Sequence, residues 1–402
     1  MRVLVVCGAG TVYGRELITL SLIRGLRDRG HEISCITSTW GDAKFAGLLD
    51  QYAIACTRLP VGFISKTLSW SAILMTLDQV GKLPALWLGY RRTVKAFRPD
   101  VVIHSNFHHI FVLWPVMGSA TNVFHVHDYF LPTRFYKFVL KLLERRLKLF
   151  IGVSKFIEAS LVDIGLPKEK IKYVLNGITV ESSNGHQRRE NLQTRLPESQ
   201  QNTREENESL DRPVSIGIVG QVGAWKGHND LIEALRLLKH ETKPFACKIF
   251  GDGNPSYATE LREKINQYDL AGRVQWMGFV DKTESIYSKI DLCVVPSRAS
   301  EAFGMVAAEA SFYGIPIVAT RQGAIPEIVQ DNQTGYLIDA GAPEQLADKL
   351  SLLVRSRELR HRMGMAAREY ALQRLTSKRM IEEMEALLYS MLVSNDAVQA
   401  SL

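Results

Sequence analysis

The sequence predicts an α/β protein built from two doubly wound domains. Short β-branched runs alternate with stretches of helical periodicity, stop at a polar segment covering 181–213, and start again at 214. The chain has 402 residues, of which 46% are hydrophobic and 23% charged. At roughly 100–200 residues per domain, this length favours two domains. The composition excludes a disordered chain, a collagen-like fibre and a disulfide-stabilised miniprotein.

The first half begins with a βαβ unit. VLVVCG (3–8) reads as a strand, Glu16 to Arg29 has helical spacing and ends at Gly30, and EISCIT (32–37) reads as a second strand. Three later runs have the same character: DVVIHS (100–105), NVFHVH (122–127) and LFIGVS (149–154). These runs predict a parallel sheet with helices on both faces.

The segment 181–213 contains two leucines and almost no other apolar residue, so it cannot bury enough surface to offset its ordering entropy. We therefore expect a mobile linker between an N-terminal domain (1–180) and a C-terminal domain (214–375), followed by a helix over 376–402. One arrangement of that helix is to pack back on the N-terminal domain.

The second half repeats the pattern of the first. A strand at VSIGIVG (214–220) precedes a helical stretch that includes Asp230–Lys239, and the chain is helical again from about Glu344. Further strands are expected at ACKIFG (246–251), RVQWMG (273–278), DLCVVPS (291–297) and PIVAT (316–320). Two such domains would bind ligands at the carboxyl ends of their strands.

Charge is distributed unevenly. Residues 1–178 hold 23 Lys+Arg and 12 Asp+Glu, a net charge of +11, whereas the remainder has a net charge of −4. A basic first half favours an anionic partner, namely a membrane surface, a phosphorylated acceptor or a nucleic acid. The alternative is that these side chains only solvate helix faces.

The cysteines and the apolar segments bear on location. Five cysteines form no CxxC pair, which is typical of reduced, buried thiols in a cytoplasmic protein. The apolar run after Met1 is too short for a secretory signal. Residues 101–127 lack Asp, Glu, Lys and Arg, but five histidines, a proline and a glycine argue against a transmembrane helix there.

Two motifs suggest ligand binding. Gly8, Gly10 and Gly14 are spaced GxGxxxG instead of GxGxxG, so a nicotinamide-dependent oxidoreductase is the weaker alternative. In PSRASEAFGMVAAEA (296–310), Glu301 precedes a helix expected to begin near residues 303–304, and Glu309 lies inside it. Carboxylates there could accept hydrogen bonds from sugar hydroxyls, and the helix N-terminus could meet phosphate. The alternative is one capping and one solvated glutamate.

This second motif resembles the E-x7-E signature of retaining glycosyltransferases of family 4, which have the GT-B fold of two Rossmann-like domains. Other blocks match that family in the same order: GQVGAWKG (220–227), IFGDG (249–253), VQWMGFV (274–280), GAIPEIV (323–329), TGYLI (334–338), and in the first half the Val126–Asp128 strand end and VLNGI (174–178). The resemblance implies transfer of a hexose-type sugar from a nucleotide-diphosphate donor to an acceptor hydroxyl in polysaccharide, glycolipid or other glycoconjugate synthesis.

The resemblance also implies residue roles. Lys226 would neutralise the donor diphosphate. Much of the family has an arginine beside it, where this chain has Gln221. Glu309 would hold the ribose hydroxyls and Glu301 the hydroxyls of the transferred sugar. The remaining donor contacts would come from Gly14, from the backbone N–H groups of Phe303, Gly304 and Met305, and from the base-facing loop Gly278, Phe279 and Val280.

His127 would lie beside the donor sugar. Attack from the face of the leaving group, with the phosphate accepting the acceptor proton, is the favoured route, and His127 acting as base is the alternative. No two aspartates are separated by one residue, so we expect no DxD metal site, no metal and no cofactor. His104, His108 and His109 lack further ligands with zinc spacing, and His104 is expected instead to line the acceptor pocket.

Residues 134–149 are expected to form one amphipathic helix. Its basic stripe consists of Arg134, Lys137, Lys141, Arg145 and Lys148. One interpretation is a core helix with a solvated stripe, and the other is a peripheral helix resting on an anionic membrane at the cytoplasmic face. The aromatic residues Phe63, Trp70 and Trp87 allow the same two interpretations. A non-catalytic anion or nucleic-acid binder is a further alternative, whereas the glycosyltransferase interpretation includes no nucleic-acid partner.

Overall fold

The computed structural model describes residues 1–8, 12–40, 43–62, 70–118, 120–179 and 212–399. The chain divides into two compact units. The first unit comprises Met1–Gly177 together with Ser377–Leu402, and the second comprises Ile178–Thr376. The segment 181–211 of the predicted linker lies outside the described residues.

The first unit is built on a parallel seven-stranded sheet with the order β3-β2-β1-β4-β5-β6-β7. Most of its strands are short runs with almost every side chain buried, as expected where helices cover both faces. The strands are β1 (Arg2–Val6), β2 (Glu32–Ser38), β3 (Ala55–Leu59), β4 (Val101–His104), β5 (Thr121–Val126), β6 (Leu149–Gly152) and β7 (Ile171–Tyr173).

Seven helices belong to the described part of the first unit: α1 (Gly14–Asp28), α2 (Lys44–Gln51), α3 (Trp70–Phe97), α4 (Phe107–Leu113), α5 (Arg134–Glu144), α6 (Lys155–Ile164) and the C-terminal α13 (Ser377–Gln399). Helix α13 packs against α1. The Glu385 carboxylate accepts hydrogen bonds from Arg29 Nε at 2.7 Å and contacts His31 Nε2 at 2.6 Å. The last helix of the chain therefore belongs to the first unit.

The second unit has a parallel six-stranded sheet with the order β10-β9-β8-β11-β12-β13. Its strands are β8 (Val214–Val219), β9 (Phe245–Phe250), β10 (Val274–Gly278), β11 (Leu292–Val295), β12 (Ile317–Thr320) and β13 (Gly335–Ile338). Its helices are α7 (His228–Leu237), α8 (Pro255–Gln267), α9 (Thr283–Tyr287), α10 (Met305–Phe312), α11 (Pro343–Arg355) and α12 (Arg357–Arg374).

The fold prediction is confirmed, because both sheets are parallel and doubly wound. The sequence analysis did not predict three strands: β3, β7 and β13. The residues 101–127 form β4, α4 and β5, and within the described residues no helix is long and apolar enough to cross a membrane. All five cysteines are free, and Cys56 is only partly buried.

The predicted helix over 134–149 is too long. Helix α5 ends at Glu144, because the chain must turn back to begin β6 at Leu149. The Lys148 backbone N–H donates to the Asn122 carbonyl at 2.8 Å, a bond that belongs to the approach to the sheet and not to a helix. Lys148 therefore leaves the predicted helical stripe.

Candidate active site

The second sheet has one topological switch point, between β8 and β11. From β8 the chain continues through β9 and β10 to one side, and β11 then pairs on the other side of β8. Loops that leave the carboxyl ends of two such strands diverge and form a crevice where ligands bind in this class of sheet. The two loops here contain Lys226, after β8, and Glu301, after β11.

Lys226 and Glu301 are in direct contact. The Lys226 Nζ atom donates to Glu301 Oε1 at 2.6 Å, and the Ser297 hydroxyl donates to the same oxygen at 2.7 Å. Both charged side chains keep about a quarter of their surface exposed, 26% and 21% respectively. An ammonium and a carboxylate thus meet at the crevice and remain accessible to a ligand.

Two glycines hold these loops close together. At Gly227, with φ of +73°, a Cβ atom would lie 1.8 Å from the Pro296 carbonyl oxygen. At Gly323, with φ of +60°, it would lie 2.2 Å from the Glu301 carbonyl oxygen. Only glycine allows both the left-handed backbone and this approach. The Lys226 and Glu301 loops are therefore fixed by backbone packing, and Arg298 adds a hydrogen bond from Nε to Asp230 Oδ2 at 2.8 Å.

Glu309 lies one helical turn inside α10. Part of its surface remains open, yet its surroundings dehydrate the carboxyl group, and this burial raises its pKa to about 7. The Tyr287 hydroxyl donates to Glu309 Oε2 at 2.8 Å and partly opposes that rise. The Tyr287 ring stacks on Tyr313 with centroids 5.0 Å apart. The carboxyl group is therefore held in one orientation, and its pKa lies close to neutral pH.

The other predicted donor residues of the second unit lie at the carboxyl edge of the same sheet. Gly304 caps α10 with φ of +98°, so Met305 begins the helix, while the Phe303 side chain is buried. Gln221 is exposed directly after β8. Gly278 ends β10 with φ of +66°, Phe279 is largely exposed, and Val280 is partly buried.

The first sheet has its own switch point, between β1 and β4. Gly14 begins α1 there, although residues 9–11 of the preceding glycine-rich turn lie outside the described residues. Arg15 follows it and bridges two carboxylates: its Nε donates to Glu16 at 3.1 Å and its Nη1 to Asp128 at 3.3 Å. Glu16 also accepts from the Tyr13 backbone N–H at 3.0 Å, which caps α1.

Histidines cluster beside Arg15. His127 Nε2 contacts His125 Nδ1 at 3.1 Å, and burial, His125 and Arg15 hold the pKa of His127 well below its usual range. Burial lowers the pKa of His125 to about 4 and that of His109 to about 3. These imidazoles are therefore neutral at pH 7, so His127 is available there as a hydrogen-bond donor or acceptor.

The prediction that His104 lines the acceptor pocket is wrong. This histidine is fully buried in β4, and its Nε2 contacts the Asn122 side-chain oxygen at 3.0 Å. His104 and His108 also lie on different elements, a strand and a helix, so their sequence spacing is not that of one helix face. Within the ranges that the structure describes, no group of three or more His, Cys, Asp or Glu residues could hold a metal ion.

Two family models match the chain. Residues 13–182 match the model described as Glycosyltransferase Family 4, and residues 199–370 match Glycosyl transferases group 1. Together they span most of the sequence. The chain belongs to glycosyltransferase family 4.

Curated relatives of this family 4 chain align over part of its length. N-acetyl-alpha-D-glucosaminyl L-malate synthase of Bacillus anthracis is 33% identical over 36% of the chain and 37% of its own length. D-inositol 3-phosphate glycosyltransferase of Corynebacterium diphtheriae is 32% identical over 45% of the chain and 44% of its own length. The chain thus aligns with less than half of either relative.

Solved structures resemble the family 4 chain over nearly its whole length and have the GT-B fold. Anabaena HepE in complex with UDP and glucose has a TM-score of 0.76 at 22% identity, covering 97% of this chain and 100% of that one. Sucrose-phosphate synthase from Thermosynechococcus elongatus has a TM-score of 0.75 at 17% identity, and the match covers 98% of this chain and 99% of that one. At these identities the likeness establishes the fold.

Several neighbours of the candidate residues were not predicted from the sequence. Ser297 precedes Glu301 by four residues in a loop, and this spacing carries no signal outside a helix. Tyr287 reaches Glu309 across 22 residues, and Arg15 reaches Asp128 across 113. Partners so distant in sequence become visible only when the sheet brings the ends of its strands together.

Proposed function

We propose that the chain transfers a hexose-type sugar from a nucleotide-diphosphate sugar to an acceptor hydroxyl, with retention of the anomeric configuration. The supporting observation is the contact of Lys226 with Glu301 at the switch point of the second sheet, beside the N-terminus of α10. The family membership supports the class of reaction, and HepE, described in complex with UDP and glucose, has the same fold.

In this proposal the charges at the second switch point match the changes in the donor. Breaking the anomeric C–O bond leaves negative charge on the departing diphosphate and positive character on the sugar ring. Lys226 and the backbone N–H groups of Gly304 and Met305 would stabilise the diphosphate. Glu301 would exchange its bond with Lys226 for bonds with sugar hydroxyls, while Glu309 would accept from the ribose hydroxyls. Gly278, Phe279 and Val280 would border the base.

The new bond would form on the face that the diphosphate leaves. The acceptor oxygen bonds to the anomeric carbon, the anomeric C–O bond to the diphosphate breaks, and the acceptor proton passes to a phosphate oxygen. Neutral His127 would hydrogen-bond the transferred sugar, and proton acceptance by His127 is the alternative. The charge on the diphosphate is met by Lys226 and backbone N–H groups, so the reaction would need no metal and no further cofactor.

Location and acceptor are part of the proposal. Five free cysteines fit a reducing, cytoplasmic setting. The acceptor would be a sugar, a glycolipid or another hydroxyl compound in polysaccharide or glycoconjugate synthesis.

A donor screen tests the first step. Binding of a ligand to the folded chain alone raises Tm, so the correct nucleotide sugar should shift Tm while matched nucleoside monophosphates shift it less. NMR of the product then reports the anomeric configuration, and turnover should be unchanged by excess EDTA. Inversion at the anomeric carbon, or loss of turnover in EDTA that Mg²⁺ restores, would reject the corresponding part of the proposal.

The variant Glu301→Gln tests the site. It keeps the shape of the side chain but removes its charge, and we expect kcat/KM to fall about 10- to 100-fold because hydrogen bonds to a charged group are lost. Glu344→Gln, in the first turn of α11, is the matched control and should retain activity. Equal activity of both variants with a proven donor would refute the assignment of Glu301.

A further inference from the structure

Helix α3 of the first unit is already packed on one face. Gln79, Leu86 and Tyr90 recur at steps of seven and four residues, which places them on one line along the helix, and each is at most 1% exposed. The Gln79 side chain donates to the Pro60 carbonyl at 3.2 Å, and the Trp87 indole donates to the Val112 carbonyl at 2.8 Å. Helix α3 therefore packs on the rest of the first unit through this buried face.

The opposite face of α3 is also apolar. Trp70, Leu74, Leu77 and Leu88 are separated by four, three and eleven residues, so they form one stripe about 180° from the buried face. Their exposed fractions are 81%, 62%, 60% and 51%. From Trp70 to Leu88 the stripe is about 27 Å long, at about 1.5 Å per helical residue. Between Leu77 and Leu88 this line holds only the small exposed residues Gly81, Pro84 and Ala85, so the large apolar side chains are concentrated at Trp70, Leu74 and Leu77. Exposed apolar patches of this kind mark interaction surfaces.

Helices α4 and α5 lie in the same layer as α3. The connections from β3 to β4, from β4 to β5 and from β5 to β6 all cross the sheet in one direction, and right-handed crossovers place their helices on one face. The Phe107 and Tyr136 rings, 5.9 Å apart, join α4 to α5. This layer exposes further apolar side chains: Phe111 on α4, Leu131 before α5, and Phe135 and Phe138 on α5.

The layer carries an excess of positive charge. From the start of α3 to the end of α5, residues 70–144 contain eight Lys or Arg and four acidic residues, Asp78, Asp100, Asp128 and Glu144. All four acids are engaged: Asp78 accepts from Lys82 Nζ at 2.7 Å, Asp100 from the Arg2 backbone N–H at 2.7 Å, Asp128 from Arg15, and Glu144 from Lys170. All eight cations are exposed: Lys82, Arg91, Arg92 and Lys95 on α3, Arg98 just after it, and Arg134, Lys137 and Lys141 on α5. Positive charge therefore accompanies the apolar side chains.

We infer that this surface, defined by Trp70, Leu74, Leu77, Leu88, Phe135 and Phe138 with their basic neighbours, docks on an anionic phospholipid bilayer. The helix axes would lie parallel to the membrane, with the apolar side chains at the level of the acyl boundary and the cations at the headgroups. A bilayer supplies an apolar phase and negative charge at once. Two-fold pairing with a second copy would instead bring the basic residues of both copies together.

Vesicle flotation of the full chain tests the inference. Vesicles of phosphatidylcholine containing about one-third phosphatidylglycerol should carry the protein to the top of a gradient, whereas pure phosphatidylcholine should carry much less. High salt should weaken the binding to anionic vesicles, because it screens the headgroup attraction. Absence of flotation with the anionic vesicles would overturn the inference.

Variants on two separate helices locate the surface. Leu74→Ser combined with Leu77→Ser, and Phe138→Ser alone, should each lower the partition coefficient, the double variant by at least about tenfold. These side chains are exposed, so Tm should change little. Lys137→Glu combined with Lys141→Glu should remove the preference for anionic vesicles.

Matched controls lie on elements of the other face of the sheet. Val393→Ser on α13 removes an equally exposed apolar side chain, and Lys44→Glu with Lys378→Glu makes the same change in net charge. Both should float as the unmodified chain does. The inference is overturned if the controls lose binding as much as the test variants. It is also overturned if light scattering shows a dimer that Leu74→Ser with Leu77→Ser converts to a monomer, since a second copy would then cover the stripe.

Discussion

At the switch point of the second sheet, a lysine and a glutamate meet in one ion pair, whereas at that of the first sheet an arginine bridges two carboxylates beside buried histidines. Lys226 and Glu301 keep part of their surface in solvent, and their loops are held by backbone contacts. In the first unit, burial lowers the pKa values of His104, His109, His125 and His127. Two sheets of one architecture therefore differ at this edge: the second has one partly exposed ion pair, and the first has neutral imidazoles next to the ion pairs of Arg15.

The pKa values at the two edges differ because a carboxyl group is buried at one edge and imidazoles are buried at the other. Burial penalises the charged form of any group, so it raises the pKa of a carboxylic acid and lowers that of an imidazole. Glu309 and the histidines are both affected, in opposite directions. Raising the pH should therefore reduce the contribution of Glu309 to the free energy of unfolding and increase that of the histidines. The exposed ion pair of Lys226 and Glu301 should instead affect the rate of the reaction.

The largest effect is expected for Lys226→Ala. If the ammonium stabilises the departing diphosphate, its loss should lower kcat by about 10²- to 10³-fold, the range seen when one transition-state donor is removed. Steady-state kinetics with the donor found in the screen provides the measurement. Lys239→Ala, which removes a lysine paired with Asp269 on the surface of the same unit, should leave kcat unchanged. A small effect at Lys226 would remove the functional contrast between the two edges.

Gly227→Ala tests the backbone packing of the Lys226 loop. The new Cβ would meet the Pro296 carbonyl in a left-handed conformation, and together these should lower the free energy of unfolding by about 3 kcal/mol. Urea denaturation measures the loss. At Gly272 a Cβ atom would meet nothing within 4 Å, so Gly272→Ala serves as the control. Similar destabilisation by both substitutions would show that the close approach to Pro296 does not cause the loss of unfolding free energy.

Glu309 sets the expected pH dependence of the second unit. Its pKa rises from 4.5 to about 7 on folding, so the folded chain retains a proton that the unfolded chain releases between these values. Its contribution to the free energy of unfolding should therefore fall as pH rises through that window, by up to about 3 kcal/mol. The difference in unfolding free energy between the unmodified chain and Glu309→Gln, measured by urea denaturation across pH, gives the contribution of this carboxyl group. A difference that does not change with pH would contradict it.

His125 should show the opposite slope. Burial lowers its pKa from 6.5 to about 4, so the unfolded chain binds a proton that the folded chain does not. Its contribution should be present above pH 6.5 and decline as pH falls, by about 2 kcal/mol at pH 5. Replacement by glutamine should therefore cost less stability at pH 5 than at pH 7.5. The same cost at both pH values would mean that His125 is protonated equally in the folded and unfolded states.

The carboxylates of the candidate site could be named from the sequence because their pattern is local. Glu301 and Glu309 flank the start of one helix, which made them candidates by spacing, whereas their roles and the choice of Lys226 were implied by the resemblance to family 4. Their partners Ser297 and Tyr287 could not be named, since no periodicity links a loop hydroxyl or a distant tyrosine to a carboxylate. His104 was misplaced for the same reason: its position at a strand end was visible, but its burial against Asn122 was not.

By itself the sequence determined the alternation of strands and helices in each half and the excess positive charge of the first half, because short-range periodicity and composition encode these features. The tertiary structure decided which of the residues meet. Strand order brings Lys226 to Glu301 and aligns α3, α4 and α5 on one face, and packing against α1 assigns the last helix to the first unit. It also decided the pKa values of Glu309 and the histidines, because dehydration depends on every neighbour in space and not on neighbours along the chain.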